Sequence, residues 1–387
     1  MKDVKIQSSF TPPSLEEMMR RIRIIREKMG ALGLTHYVVT NPDNVFYLTN
    51  FANYVHERPF ILVMGMDGPI RFLIPKLEIP HVNIRAVGDI ELVEYFEFPA
   101  PAKTAWDTCF RALFSDDSVV GVESHCPLYV HNVINHTTIV CDIVDDARMV
   151  KSEYEISRVA YASEIALDGL QVVFDKARPG ASLFEVSPQC RTHMLTRALL
   201  DNPQTNLLAT NVNCVFQPPS VSHDPHNFTN VSMAMEENGP NVVIINGTVN
   251  GYGAEVERTF FLGAISEASK RPFDIMMAAR AKAYELVVPG ASMSEVDIAV
   301  NDIFRAAGYA DNLLHRTGHS IGVTGHEGPF LAEGYDRLIE PGMFFTIEPG
   351  LYIEGIGGFR HSDTVLITEE GPVNLTPFPD TADALTF

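Results

Sequence analysis

The sequence predicts an α+β protein in which a small N-terminal α/β domain precedes a larger domain built on an antiparallel sheet. Early in the chain, a helical segment is followed by short apolar strands between Pro- and Gly-containing turns. Later, strand and helix patterns are grouped rather than strictly alternating, which favours α+β. Because 387 residues exceed a comfortable single core, we place a boundary in the polar junction after Asp145, giving domains 1–147 and 148–387.

Each element has a local signal in the sequence. In the first domain, the helical spacing of apolar residues ends at Gly33. We predict helices at 14–32 and 105–114, and strands at 36–40, 60–64, 70–74 and 119–122. In the second domain, we predict helices at 153–176, 182–200, 273–287 and 292–307 and strands at 242–245, 259–262, 344–348 and 364–367.

Two nearly identical segments begin at Pro179 (PGASLFEV) and at Pro289 (PGASMSEV). Each copy ends one helix with Pro-Gly and offers a Ser to cap the next helix. This repeat predicts an internal duplication of the second domain.

Composition narrows the class of protein. The chain has 29 Lys and Arg against 49 Asp and Glu, a formal net charge of −20, which disfavours binding to nucleic acid or anionic lipid. We find neither a membrane-length apolar run nor a signal peptide, so we expect a cytoplasmic protein. The five cysteines include no CxxC and are expected to be reduced.

Two regions carry side chains suited to chemistry. His315, His319 and His326 lie among glycines, and a following apolar strand ends at Glu348. A second strand returns from the hairpin signal Asn250-Gly251 and places Glu255 and Glu257 on one face. Paired carboxylates can bind cations, orient a basic substrate or transfer protons, and the alternative is a solvated acidic edge.

Several runs of residues resemble a known superfamily. They are GYGAEVERTF from Gly251, GHSIG from Gly318, His326-Glu, EPGLY from Glu348 and GFRHSD from Gly358. In combination they are similar to the pita-bread superfamily of aminopeptidase P, prolidase, methionine aminopeptidase and creatinase. The N-terminal half resembles the smaller domain of the creatinase and prolidase branch. This resemblance implies a pita-bread catalytic domain with pseudo-two-fold symmetry.

The metal ligands of the family are only partly matched. Its metallopeptidases bind two ions through five side chains, and the matching positions here are Ile244 (or Asn246), Glu255, His319, Glu348 and Ser362. Neither Ile, Asn nor Ser supplies a negative charge, so a dinuclear centre is not expected. We expect no cofactor. The alternative is a single Mn, Zn or Co ion on Glu255, His319 and Glu348, with help from His361 or Asp363.

The metal-independent creatinase branch matches further positions, and this resemblance implies the roles that follow. We expect a hydrolase that cleaves a C–N bond of a small guanidino, amidino or amide acid, with ectoine as the first candidate. His226 would act as general base and acid, Glu257 and Glu348 would hold the cationic part of the substrate, and Glu255 would assist them or act as nucleophile. His319 and His326 would complete the pocket, and further substrate contacts would come from His315, Arg360 and Ser362.

Arg58, in the run His56-Glu-Arg-Pro-Phe, matches an arginine that reaches the substrate carboxylate of a neighbouring subunit. The resemblance thus implies a homodimer whose sites are shared between subunits and whose partner molecule is a small carboxylate-bearing substrate. Two other classes remain open: a metal-dependent Xaa-Pro dipeptidase or aminopeptidase, and a non-catalytic binding protein on the same fold.

Overall fold

The computed structural model describes residues 6–53 and 57–387. The described residues form two compact units, one of residues 11–148 and one of residues 149–387 together with residues 6–10. The sequence predicts that residues 6–10 belong to the first domain. They belong instead to the second unit because the Ser9 amide donates to Ser157 O at 3.0 Å and Arg158 Nη1 donates to Ser9 O at 3.1 Å.

The N-terminal unit is the expected small α/β domain. Its sheet has the order β4-β3-β2-β1-β5-β6, with β1–β2 and β2–β3 antiparallel and the remaining pairs parallel. The described elements of this unit are α1 (Leu15–Ala31), β1 (His36–Val39), α2 (Pro42–Thr49), β2 (Ile61–Gly65), β3 (Ile70–Pro75), α3 (Ile79–Arg85), β4 (Ile90–Tyr95), α4 (Trp106–Arg111), β5 (Val119–Val122), α5 (Leu128–His131), β6 (Thr137–Val140) and α6 (Ile143–Arg148).

The second unit contains the long helices and the antiparallel strands. Its elements are α7 (Glu153–Asp175), α8 (Leu183–Asp201), β7 (Asn211–Gln217), β8 (Asn241–Val249), β9 (Tyr252–Phe260), α9 (Glu267–Leu286), α10 (Met293–Ala306), β10 (Gly318–Ser320), β11 (Glu327–Leu331), β12 (Phe344–Thr346), β13 (Gly350–Ile353), β14 (Gly357–Arg360), β15 (Ser362–Thr368) and β16 (Gly371–Asn374). None of the helices in the described part of the chain has the length and apolar character that crossing a bilayer requires.

An antiparallel sheet organises this unit and confirms the α+β prediction. Its order is β12-β15-β9-β8-β7, with β16 pairing along β15. Helices α7 and α8 share one apolar cluster with β7, β8 and β9, whereas α9 and α10 share another with β12 and β15. Every residue of β9 is buried, so this strand lies at the centre of the unit.

The repeated segments adopt the same local structure. Gly180 and Gly290 have φ angles of 80° and 84°, a region that glycine enters without strain. Ser182 Oγ accepts from the Glu185 amide to cap α8, and Ser292 Oγ accepts from the Glu295 amide to cap α10. The two copies thus start the second helix of each helical pair, as the predicted duplication requires.

The hairpin between β8 and β9 sets the register of the site. Asn250 and Gly251 have φ angles of 48° and 83°, the combination that suits a two-residue turn. The resulting register places Asn246 opposite Glu255 and Ile244 opposite Glu257. A one-residue slip would turn both carboxylates to the other face of the sheet.

Candidate active site

A cavity of about 720 Å³ lies in the second unit, beside the central strands of its sheet. It brings together the predicted catalytic histidines and carboxylates with Arg360, from β9, β14 and the loops around β8, β10 and β12. Its lining consists of Pro225, His226, Phe228, Ile244, Asn246, Glu255, Glu257, Leu314, His315, Arg316, His319, His326, Ala332, Glu348 and Arg360.

Glu255 and Glu257 enter the cavity from the same face of β9. Ser362, on β15, lies opposite Glu257 in the ladder, and its hydroxyl donates to Glu255 Oε1 at 3.0 Å. Ser362 is fully buried and does not line the cavity. It was expected to bind substrate, but the structure instead places it behind Glu255, where it orients that carboxylate.

Glu257 is paired with Arg360. Arg360 Nη2 donates to Glu257 Oε1 at 2.9 Å, and Nε lies against the other carboxylate oxygen. Both residues are buried. Burial opposes the charge on Arg360, but Glu257 beside it outweighs this effect and raises the pKa of the guanidinium. The Glu257 carboxylate is therefore already bound by a residue of the protein itself.

A hydrogen-bonded chain extends from Arg360 to His315. Arg360 Nη1 donates to the Tyr352 hydroxyl at 3.0 Å, and His315 Nε2 lies 2.7 Å from the same oxygen. His315 Nδ1 is 2.8 Å from the Arg316 carbonyl, which only accepts, so Nδ1 carries the proton and Nε2 accepts from Tyr352. Burial lowers the pKa of His315 to about 3, which keeps its ring neutral.

His319 has one ring nitrogen directed at the carboxylates. Its Nδ1 lies 2.9 Å from the Ser320 carbonyl and therefore carries the proton. Its buried Nε2 has no hydrogen-bond partner among the described residues and lies 3.3 Å from Glu348 Oε1. Burial lowers the pKa of His319, so Nε2 presents a lone pair.

The donor atoms around Nε2 are close enough to share one ion. One oxygen of Glu255 and one nitrogen each of His319 and His326 lie within 4.8 Å of one another, and the His319 and His326 rings stack at 3.8 Å. Oxygens of Glu255, Glu257 and Glu348 meet the same limit. Burial disfavours ionisation of Glu255, but the neighbouring His319 and Arg360 outweigh this effect and lower its pKa overall.

These donors fit one divalent cation. Imidazole nitrogen and carboxylate oxygen are ordinary ligands of Zn, Mn and Co, and a buried, unpartnered imidazole nitrogen is explained by such an ion. They do not provide for a second ion, because Glu257 is bound to Arg360, Ile244 has no donor atom and the Ser362 hydroxyl is bound to Glu255.

His361 and Asp363 do not help to hold a cation, contrary to the alternative stated from the sequence. They flank Ser362, so strand alternation turns them to the other face of the sheet. There, His361 Nδ1 accepts from the Thr259 amide at 3.1 Å, and Asp363 Oδ1 accepts from Arg258 at 2.8 Å.

His226 and Arg58 are not buried, unlike Glu255, Glu257 and His319. His226 is exposed at the edge of the cavity, on a loop between β7 and β8. Arg58 lies in the N-terminal unit, where its guanidinium donates to Glu97 at 2.5 Å and to Glu57 at 2.8 Å. His56 of the same run lies outside the described residues. The role of Arg58 across a homodimer stays a prediction.

Sequence reasoning missed two cations and one hydroxyl of this region. Arg316 lines the cavity, and its guanidinium lies over the Phe330 ring at 4.5 Å. Lys151 is buried beneath the loop that carries the histidines. Tyr352 closes the motif that begins at Glu348, so its place in that motif was the available signal.

Comparisons with known proteins identify the family and the fold of this chain. The model of metallopeptidase family M24 matches residues 157–369, and that of the creatinase/prolidase N-terminal domain matches residues 21–152. The Bacillus subtilis protein named "Putative dipeptidase YkvY" is 27% identical over 372 residues, covering 93% of this chain and 98% of its own. An Xaa-Pro dipeptidase of Pyrococcus horikoshii is 26% identical over 369 residues, covering 94% and 98%.

The structure of the Pyrococcus horikoshii prolidase matches 93% of this chain and 99% of its own, with a TM-score of 0.81 and 23% identity, and confirms the expected pita-bread fold. The expectation that no cofactor is needed is wrong, because the matched family is one of metallopeptidases and the cavity holds a donor set for a cation. Since the family model matches more than half of the chain, this protein is a hydrolase that belongs to metallopeptidase family M24.

Proposed function

We propose that this protein is a single-cation dipeptidase that hydrolyses the amide bond of a small substrate with a free carboxylate, with Xaa-Pro dipeptides as the first class to test. The observation that carries the proposal is the buried, unpartnered Nε2 of His319, which faces the carboxylates of Glu255 and Glu348. The dipeptide class is taken from the names of the relatives and replaces the creatinase-like substrates as the leading candidate.

The cation would be held by Glu255, His319 and Glu348, with His326 beside them. A bound divalent cation supplies Lewis-acid polarisation of the amide carbonyl and a water of lowered pKa. The protein contributes the orientation of its own ligands. Ser362 fixes the Glu255 carboxylate, and the Ser320 carbonyl fixes the tautomer of His319.

Arg316 is the best-placed group to receive the carboxylate of a substrate. Arg360 already binds Glu257 and Tyr352, whereas the Arg316 guanidinium lines the cavity and its described contact is the Phe330 ring. Stacking on an aromatic ring fixes the plane of a guanidinium and leaves its N–H groups for a planar anion. A dipeptide could therefore extend from the cation site toward Arg316.

His226 is suited to transfer a proton to the leaving nitrogen. It stands at the edge of the cavity, where an exposed imidazole can exchange protons with solvent. Its ring would give a proton to the departing amine as the C–N bond breaks and recover one from water.

The proposal is tested by cation content and substrate range together. We expect elemental analysis and calorimetry to show one equivalent of Mn²⁺, Zn²⁺ or Co²⁺ per chain, and turnover of an Xaa-Pro dipeptide that a chelator abolishes and the ion restores. Other dipeptides, peptide amides and ectoine should be assayed in parallel. Two tightly bound equivalents would contradict the single-cation site, and failure to cleave any dipeptide with all three ions would refute the dipeptidase.

Replacing His226 with Ala should lower kcat about 10²–10⁴-fold, the usual contribution of general acid–base catalysis. The melting temperature should barely change, because the side chain is exposed. His193→Ala, an exposed histidine on α8, serves as the matched control. Near-normal kcat in the His226 variant would assign proton transfer to another group.

Replacing Arg316 with Met should raise KM for a dipeptide about 10–100-fold, which corresponds to loss of a charge-assisted hydrogen bond. The effect should be much smaller for the C-terminal amide of the same dipeptide, because that substrate lacks the carboxylate. Arg305→Met, at an exposed arginine outside the cavity, is the control. Equal losses for acid and amide would show that Arg316 does not recognise the carboxylate.

A further inference from the structure

Lys151 makes a buried ion pair beneath the loop that joins the two stacked histidines. Its Nζ lies 3.0 Å from Glu327 Oε1 and donates to Ser320 Oγ at 2.9 Å. Only 1% of the Lys151 side chain and 8% of the Glu327 side chain are exposed. Ser320 follows His319 directly, and Glu327 follows His326 directly. One ammonium group therefore connects the two chain positions next to these histidines.

The intervening loop is built around this pair. Glu327 Oε2 accepts from the Thr324 amide at 3.1 Å, and Thr324 Oγ1 donates to the His326 carbonyl at 3.0 Å. A Cβ at Gly322 would lie 2.3 Å from Glu327 Oε1 and 3.0 Å from Lys151 Cε. Only glycine leaves room for the pair at that position. Residues 320–327 thus fold over a buried charge pair.

Stability alone does not account for a buried ion pair here. Removing two charges from water is costly, and apolar replacements of similar volume are often as stable or more so. The pair instead fixes orientation. The Lys151 ammonium binds both the Ser320 hydroxyl and the Glu327 carboxylate, so it holds the backbone at both positions. The rings next to those backbone positions, His319 and His326, stack at 3.8 Å with an interplanar angle of 19°.

We propose that Lys151 and Glu327 are positioning residues that hold His326 against His319 and thereby set the cation affinity of the site. The expected effect on cation affinity rests on the proposed single-cation function. The expected effect on the position of the two rings can be measured without a bound ion. Loss of groups that orient metal ligands typically lowers metal affinity about 10–100-fold. We expect a loss of that size for Lys151→Met and for Glu327→Gln.

The experiment compares these variants with the double variant Lys151→Met/Glu327→Leu, which removes both charges and leaves neither unpaired. Cation affinity is measured by calorimetry with Mn²⁺ and Zn²⁺, and crystal structures are determined without added ion. The control is Arg280→Met, because Arg280, on α9, pairs with Asp363 and Asp380 in a second part-buried ion-pair cluster outside the cavity lining. It should lower the melting temperature and leave the affinity of the folded protein unchanged.

Weaker cation binding in the Lys151 and Glu327 variants, with His326 displaced from His319 and the control unaffected, would support the proposal. Unchanged affinity and an intact ring stack in the folded double variant would overturn it, as would an equal loss of affinity in Arg280→Met. If the parent protein bound no cation, the single-cation function would fail by itself. The ion-free structures would still decide the positioning role, since a retained stack would overturn it and a displaced His326 would support it.

Discussion

Replacing His319 with Ala should remove stoichiometric cation binding and reduce turnover to background, while the protein stays folded. The residue supplies the buried nitrogen on which Glu255, Glu348 and His326 converge. Removing a ligand should lower the cation affinity by more than the factor of about 10–100 that is typical when a residue that orients a ligand is replaced. Elemental analysis and calorimetry measure the binding, and hydrolysis of an Xaa-Pro dipeptide measures the turnover.

His361→Asn is a matched control for that variant. His361 is as buried as His319, but its ring bonds to the Thr259 amide and the Asp380 carbonyl away from the cavity. The control should lose stability because buried partners are left unsatisfied, and its folded form should bind the cation normally. If both variants lost the ion equally, or if His319→Ala kept it, His319 would not be a ligand.

The parts of the site that were predictable are those with a local signal. The turn at Asn250-Gly251 fixes the hairpin, and strand alternation then places Glu255 and Glu257 together on one face. The same alternation was available for His361 and Asp363, because residues on either side of the inward-facing Ser362 must point away. The prediction that His361 or Asp363 helps to hold a cation therefore conflicts with strand alternation, which can be applied to the sequence alone.

The parts that were missed depend on contacts between distant segments. Arg360 meets Glu257 only after β14 and β9 have been brought together, and Lys151 meets Glu327 across more than half of the second unit's sequence. The helix α2 was missed for a different reason. Most of its residues are buried, so it lacks the alternation of apolar and polar faces by which a surface helix is recognised.

Replacing Glu257 with Ala should destabilise the protein by about 3–5 kcal/mol, the usual cost of stranding one partner of a buried ion pair. The change would leave the Arg360 guanidinium, which is only 6% exposed, without its bidentate carboxylate. Chemical denaturation of the single variant measures this loss. An exposed ion pair such as Arg305 with Asp302 should give a much smaller change when Arg305 is replaced.

The double variant Glu257→Leu/Arg360→Met separates the charge effect from packing. If the single variant is unstable because of the unpaired guanidinium, removing that guanidinium as well should recover much of the lost free energy of unfolding. The Tyr352 hydroxyl would lose one donor and keep its bond to His315, so recovery should be incomplete. If the loss in the double variant equalled the sum of the losses measured for Glu257→Leu and Arg360→Met alone, Glu257 and Arg360 would not act as a pair, and Glu257 would then be available as a further cation ligand.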